Sequence, residues 1–157
     1  MTGFVITGLD PALFADLYGL DDATLAARGA ERRIVDATPG FPCRITLEDA
    51  AVGATVLLVN HEHLAVDTPY RQRHAVFVTE GAVAAARHVN AVPRQLAMRT
   101  LSVRAYDATG HMVDADLTEG DQLPALIDRL FADAGTAYLH AHNARPGCFA
   151  ARIDRAE

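Results

Sequence analysis

Residues 136–154 read TAYLHAHNARPGCFAARID, two alternating runs about the Pro-Gly pair 146–147. Side chains alternate across a strand, so residue parity sorts such a stretch into two faces. The odd positions Ala137, Leu139, Ala141, Phe149, Ala151 and Ile153 are apolar, whereas the even positions carry Tyr138, His140, His142, Cys148, Arg152 and Asp154. A hairpin is expected, with its odd face on a core and its even face bearing the chemistry. Only registers in which paired residue numbers sum to an even value keep the two apolar sets together. The tightest of these sets His142 opposite Cys148, His140 opposite Ala150 and Tyr138 opposite Arg152, with the turn from Asn143 to Gly147.

Upstream, LSVRAYDATGHMVDADL alternates about DATG, where Gly110 suits a positive-φ turn position. Its apolar face is expected to be Leu101, Val103, Ala105, Val113, Ala115 and Leu117. The other face would carry Ser102, Arg104, Tyr106, Met112, Asp114 and Asp116, pairing Arg104 with Asp114 and Ser102 with Asp116. Between the hairpins, LPALIDRLF spaces Leu123, Leu126, Ile127, Leu130 and Phe131 as one helical face, closed by Gly135.

The N-terminal half continues the pattern. FVIT is a strand, followed by a helix start with Asp10 as N-cap and Pro11 at the first helical position. DDATLAAR is a short helix ending at Gly29, and ERRIVD a strand. TPGFPCR is a proline-stiffened turn that delivers Cys43 and Arg44. ATVLLVN is a strand buried on both faces and ending at His61-Glu62-His63, AVFVTE another strand, and GAVAAARHV a helix stopped by Asn90 and Pro93. The expected architecture is a single α+β domain over residues 1–157, ordered almost throughout, with a mostly antiparallel sheet and helices packed on one face.

Composition narrows the function classes. The chain has 14 basic and 20 acidic residues, net charge −6, with the basic ones scattered, which argues against nucleic acid as a partner. All 14 basic residues are arginine. Without lysine, Schiff-base chemistry, a phosphate-loop lysine and pyridoxal phosphate anchoring have no side-chain amine. No basic leader is visible, and no apolar run approaches the ~18 residues of a membrane span. A cytoplasmic location is expected, with Cys43 and Cys148 reduced.

Three constellations carry chemistry. His61/His63 and His140/His142 are i, i+2 pairs, a strand spacing that lets two imidazoles reach one divalent metal, with Glu48, Glu62, Asp114 and Asp116 as carboxylates to complete it. The plainer reading is that His61 and His63 end a strand at the surface. Thiol chemistry is the second: Cys148 beside His142, or Cys43 beside Arg44, where a cationic neighbour favours thiolate. Asn143 would be the orienting member of a Cys-His-Asn set, although it has the opposite parity from His142. A buried structural thiol is the plainer reading of each cysteine, and a Cys43–Cys148 redox pair has no sequence support for proximity. Third, Arg44, Arg71, Arg73, Arg104, Arg145 and Arg152 are candidates for holding a carboxylate or phosphate, against simple pairing with nearby aspartates.

The blocks PGFPCRITLEDA, SVRAYDATG, HEHLAVDTPYR and HAHNARPGCFAARIDR resemble the domain of unknown function 1203 family of small bacterial proteins, over nearly the whole chain. The resemblance implies a single-domain bacterial protein of this length and carries over no activity, cofactor or catalytic residue. Its blocks coincide with the segments that parity selects.

The leading expectation is a small-molecule enzyme or ligand-binding domain with a polar pocket over one sheet face, taking a small anionic molecule and no membrane or nucleic acid. Candidate catalytic residues are His140, His142, Cys148, Cys43 and Arg44, and candidate ligand-binding residues are Arg104, Tyr106, Asn143 and Arg71. Candidate ligands for a divalent metal are His61, His63, His140 and His142. The alternative is a noncatalytic interaction or regulatory domain whose unroofed polar face docks a protein partner or a second copy.

Overall fold

The terminal hairpin forms the middle of a six-stranded antiparallel sheet. In the computed structural model, which describes residues 1–157, β8 (Tyr138–Asn143) and β9 (Phe149–Arg155) pair with each other. β8 also pairs with β6 (Thr100–Tyr106), and β6 with β7 (Met112–Glu119). β9 pairs with β1 (Phe4–Thr7), and β1 with β5 (Arg87–Val89), giving the order β5-β1-β9-β8-β6-β7. A second antiparallel sheet, in the order β2-β3-β4, comprises β2 (Glu31–Ile34), β3 (Thr55–Leu64) and β4 (Gln72–Thr79). Short helices α1 (Asp22–Ala27), α2 (Arg94–Ala97) and α3 (Leu123–Phe131) complete the α+β fold.

The two faces of the large sheet meet different partners. α3 buries Leu123, Leu126, Ile127, Leu130 and Phe131 against Leu101, Val103, Ala105, Leu139, Ala141, Ala151 and Ile153, the odd face expected from alternation. Each fully buried large apolar side chain there stabilises by about 1.5–3 kcal/mol relative to exposure. The even face is covered by the small sheet. Leu57, Val59, Val76 and Val78 pack with Phe149, Cys43 and Ile45 in a second core, joined by Phe14, Leu17 and Leu25. The histidine face is therefore roofed, whereas an interaction domain was expected to leave it open. His140 and His142 are 2% and 0% exposed.

Both hairpins depart from the expected register: each contains one extra residue, and the last is also shifted by one position at its turn. In the last hairpin Leu139 lies opposite Ile153, His140 opposite Arg152 and Ala141 opposite Ala151, but His142 lies opposite Phe149. The residue left over is Ala150, a bulge that reverses facing beyond it. Phe149, expected on the α3 side, consequently enters the core between the sheets. In the middle hairpin Ala105 faces Asp114 while Tyr106 faces Met112, so Val113 is the extra residue. Asp114 and Asp116 turn to the α3 side, where Arg129 binds them at 3.0 and 2.9 Å. Val113 and Leu117, assigned to the core by parity, are 45% and 65% exposed. Arg104 lacks its expected aspartate and donates to Gln72 Oε1 at 3.0 Å.

Elsewhere the local signals of the sequence and the observed elements agree in part. Asp10 caps a turn beginning at Pro11, but the turn is 3-10 instead of α, and Asp21 accepts from the Thr24 amide to start α1. β3 does not stop at His61; it runs to Leu64. The alanine-rich segment GAVAAARHV is not a helix. Gly81 adopts φ 89°, Ala86 exchanges backbone hydrogen bonds with Gly8 and Ile45, and residues 87–89 add to the sheet edge beside β1. The tertiary ladder overrides alanine's helix propensity. Gly8 allows the close approach: a Cβ there would lie 1.9 Å from the Ile45 carbonyl oxygen.

Candidate functional site

β8 sends His140 and His142 into the space between the sheets because both occupy its even face, and β3 sends His61 and His63 from the opposite side for the same reason. β4 adds His74, which the i, i+2 search passed over. It lies opposite His61 in the ladder and on the same face as Val76 and Val78. The only signal for it was parity: positions 74, 76 and 78 of QRHAVFVT share a face. The structure thus brings together His63, His140 and His142 from the candidate set, exchanges His61 for His74, and recruits no carboxylate.

The imidazoles are closely packed. His63 lies between the rings of Phe149 and His74, each 4.8 Å away and within 11° and 5° of parallel. His142 stands edge-on to His63 and His74 at 5.0 and 5.2 Å. His63 Nδ1 and His140 Nδ1 are 3.2 Å apart, so one of them donates. His142 Nδ1 lies 3.1 Å from the Gly147 carbonyl, which can only accept, so this nitrogen carries the proton. Its Nε2 is then a bare acceptor. Both His142 Nε2 and His63 Nε2 are buried with no hydrogen-bond partner. One nitrogen from each of His63, His74 and His142 lies within 4.8 Å of the other two.

Burial keeps these rings neutral. It pulls His63 down to about 2, helped by repulsion from His142 and His140. His140 falls to about 3 through burial and then the His142 charge, and His142 to about 3 through burial and then Arg104. His74, at the edge, is lowered by burial and by Arg104.

Cys148 belongs to a different neighbourhood. It sits just before β9, and its thiol meets Arg44 Nη2 at 3.0 Å and Asn143 Nδ2 at 3.7 Å. The expected His142–Cys148 pair is not formed, because the Ala150 bulge gives His142 the Phe149 ring as its neighbour. Asn143 contacts the thiol, not an imidazole. Arg44 is 2% exposed, and also donates from Nε to the Phe149 carbonyl at 2.8 Å and from Nη1 to the Pro42 carbonyl at 2.6 Å. No carboxylate pairs with it. Burial lowers its pKa, opposed chiefly by the Cys148 sulfur.

The remaining candidates lie apart. Cys43 is fully buried, and its sulfur accepts from the amides of Thr79 and Thr46 at 3.2 and 3.4 Å. Burial pushes that thiol up, but the two amides outweigh it and the net shift is downward. Both cysteines are free thiols. Arg71 and Arg73 close on Glu62 at the surface. Tyr106 is buried against Tyr138 and His140, with ring separations of 5.5 and 5.4 Å, and flanks the cluster. His61 packs edge-on against Phe14 at 5.6 Å.

A cleft of about 730 Å³ adjoins the thiol. Arg44, His74, Arg99, Asn143, Arg145 and Cys148 are among its lining residues, and no aspartate or glutamate is. Arg99 is neutralised by Asp49 at 2.6 Å, whereas Arg145, like Arg44, has no carboxylate partner. Sequence reading named Arg44, Asn143, Arg145 and Cys148 of this set and missed Arg99 and His74.

A family model described as "Protein of unknown function (DUF1203)" matches residues 40–155, which contain every residue of the cluster and of the cleft wall. No curated protein and no solved structure matches the chain.

Proposed function

This chain belongs to the DUF1203 family, and on that premise we propose that it is a small-molecule enzyme or ligand-binding domain that holds a small anionic molecule in the cleft beside Arg44. One observation carries the reading. A protein of net charge −6 lines this cleft with three arginines and no acid, and two of the three lack a carboxylate. A buried guanidinium needs a counter-charge or full hydrogen bonding, and Arg44 uses three of its five N–H donors on Phe149, Pro42 and Cys148. A carboxylate or phosphate would meet the donors that remain, with Arg145 closing on it from the 144–146 turn.

In the catalytic form of this reading, Arg44 and Arg145 hold the anionic group and Cys148 supplies a nucleophilic thiol at the wall that His74 also lines. The volume suits a molecule of metabolite size.

Thermal unfolding in the presence of inorganic phosphate and simple dicarboxylates tests the proposal. A ligand present at about 100 times its Kd adds about 2.7 kcal/mol, or roughly 5–10 °C in Tm for a chain of this size. The shift is expected to shrink in Arg145→Ala, which removes an exposed guanidinium with no structural partner. Equal shifts from all these anions and from matched sodium chloride would overturn it.

A further inference from the structure

We propose that His63, His74 and His142 form a site for one divalent transition-metal ion, with His140 orienting His63. This goes beyond the anion-binding reading and does not depend on it. The three side chains come from three strands of two sheets, β3, β4 and β8, and their nearest nitrogens already lie within 4.8 Å of one another.

The Gly147 carbonyl selects for His142 the tautomer that a metal requires. His142 donates from Nδ1 to the Gly147 carbonyl, which leaves the Nε2 lone pair free. A ligating histidine typically has its second nitrogen held in this way. With His63 as the donor across the 3.2 Å Nδ1–Nδ1 contact to His140, the arrangement the proposed site requires, its Nε2 is free as well. Nε2 of His63 and Nε2 of His142 are both buried and unpartnered, a costly arrangement that coordination to a metal would relieve.

An all-imidazole set with no carboxylate favours zinc, copper, nickel or iron over magnesium and calcium. Three histidines with one open position form the arrangement of a catalytic metal centre. The open position would face the cleft, because His74 lines it.

Metal binding would draw the three nitrogens together, with His74 moving most. Adjacent nitrogens in a tetrahedral site with bonds of 2.0–2.1 Å are about 3.3 Å apart, shorter than the present spread. His74 now stacks parallel to His63 and accepts a long 3.3 Å bond from the Phe149 amide. Ligation turns His74 out of the stack and gives up that one bond. It is the least buried of the three, so its rotation disturbs the core least.

The test uses the full chain without an affinity tag, stripped with a chelator and titrated with Co2+ and Zn2+. One ion per chain is expected, with visible d–d bands for Co2+ and a raised Tm. His74→Gln, at a partly exposed position, should lose the bands and weaken binding at least 10-fold, whereas His61→Gln should keep both. Occupancy below about 0.1 ion per chain after loading, or unchanged binding in folded His74→Gln, overturns the proposal. Anion-induced Tm shifts in the stripped protein read the cleft separately, so the two proposals can fail independently.

Discussion

The thiol of Cys148 lies 3.0 Å from the guanidinium of Arg44, and that contact, not a histidine, defines its chemical surroundings. Cys148 also lines the cleft, whereas Cys43 is sealed in the core between the sheets. A small alkylating reagent should therefore modify Cys148 in the native protein and leave Cys43 untouched until unfolding. Peptide mass mapping reads the site. Saturating phosphate or dicarboxylate should slow the reaction if the anion occupies the cleft. Modification of both cysteines at one rate would contradict the assigned burial.

Arg44→Met should destabilise the fold by about 2–4 kcal/mol. The substitution keeps much of the stem's volume but strands the carbonyls of Phe149 and Pro42, and each unsatisfied buried acceptor costs about 1–3 kcal/mol. Equilibrium urea unfolding measures the change. A loss below about 0.5 kcal/mol would mean that water replaces the guanidinium.

Metal-free protein should lose stability as pH falls from 7 toward 4. His140 and His142 titrate near 3 in the folded chain and near 6.5 when unfolded, so below 6.5 the unfolded chain binds more protons. The stability is fully present above about 6.5 and falls by about 1.4 kcal/mol per pH unit for each ring as pH drops toward 3. Urea midpoints at pH 7, 6 and 5 give the slope, and His140→Phe should make it shallower. A flat profile would contradict buried neutral imidazoles.

Gly8→Ala should cost at least about 1–3 kcal/mol, because the new methyl would meet the Ile45 carbonyl, an atom of the backbone that cannot swing aside. Loss of the Gly8–Ala86 and Ala86–Ile45 bonds should accompany it, seen as faster amide exchange at residue 86. Unchanged exchange and stability would show that the crossing relaxes freely.

Much of this organisation was already legible in TAYLHAHNARPGCFAARID and its upstream counterpart. Period-two alternation assigned Leu139, Ala141, Ala151 and Ile153 to the α3 side and Tyr138, His140 and His142 to the other, because a pleated strand leaves no alternative. Arginines in and beside the segments that carry Cys43 and Cys148 were visible too, and one of them, Arg44, lies against Cys148 in the structure. Alternation cannot show a bulge, however. One extra residue at Ala150 and another at Val113 reversed the facing of Phe149, Asp114 and Asp116, and none of the expected cross-strand pairs forms.

The sequence by itself determined the strands other than β5, the helix α3 and the two-faced character of the central hairpins, since these follow from local geometry and the repeat of apolar residues. Tertiary structure alone decided that a second sheet would cover the histidine face. It set His74 beside His63 and His142, and Arg44 beside Cys148 across 104 positions of chain. Those meetings depend on how β3 and β4 stack on β8 and β9, which is decided by burying Leu57, Val59, Val76 and Val78 on Phe149, a packing that no local pattern encodes.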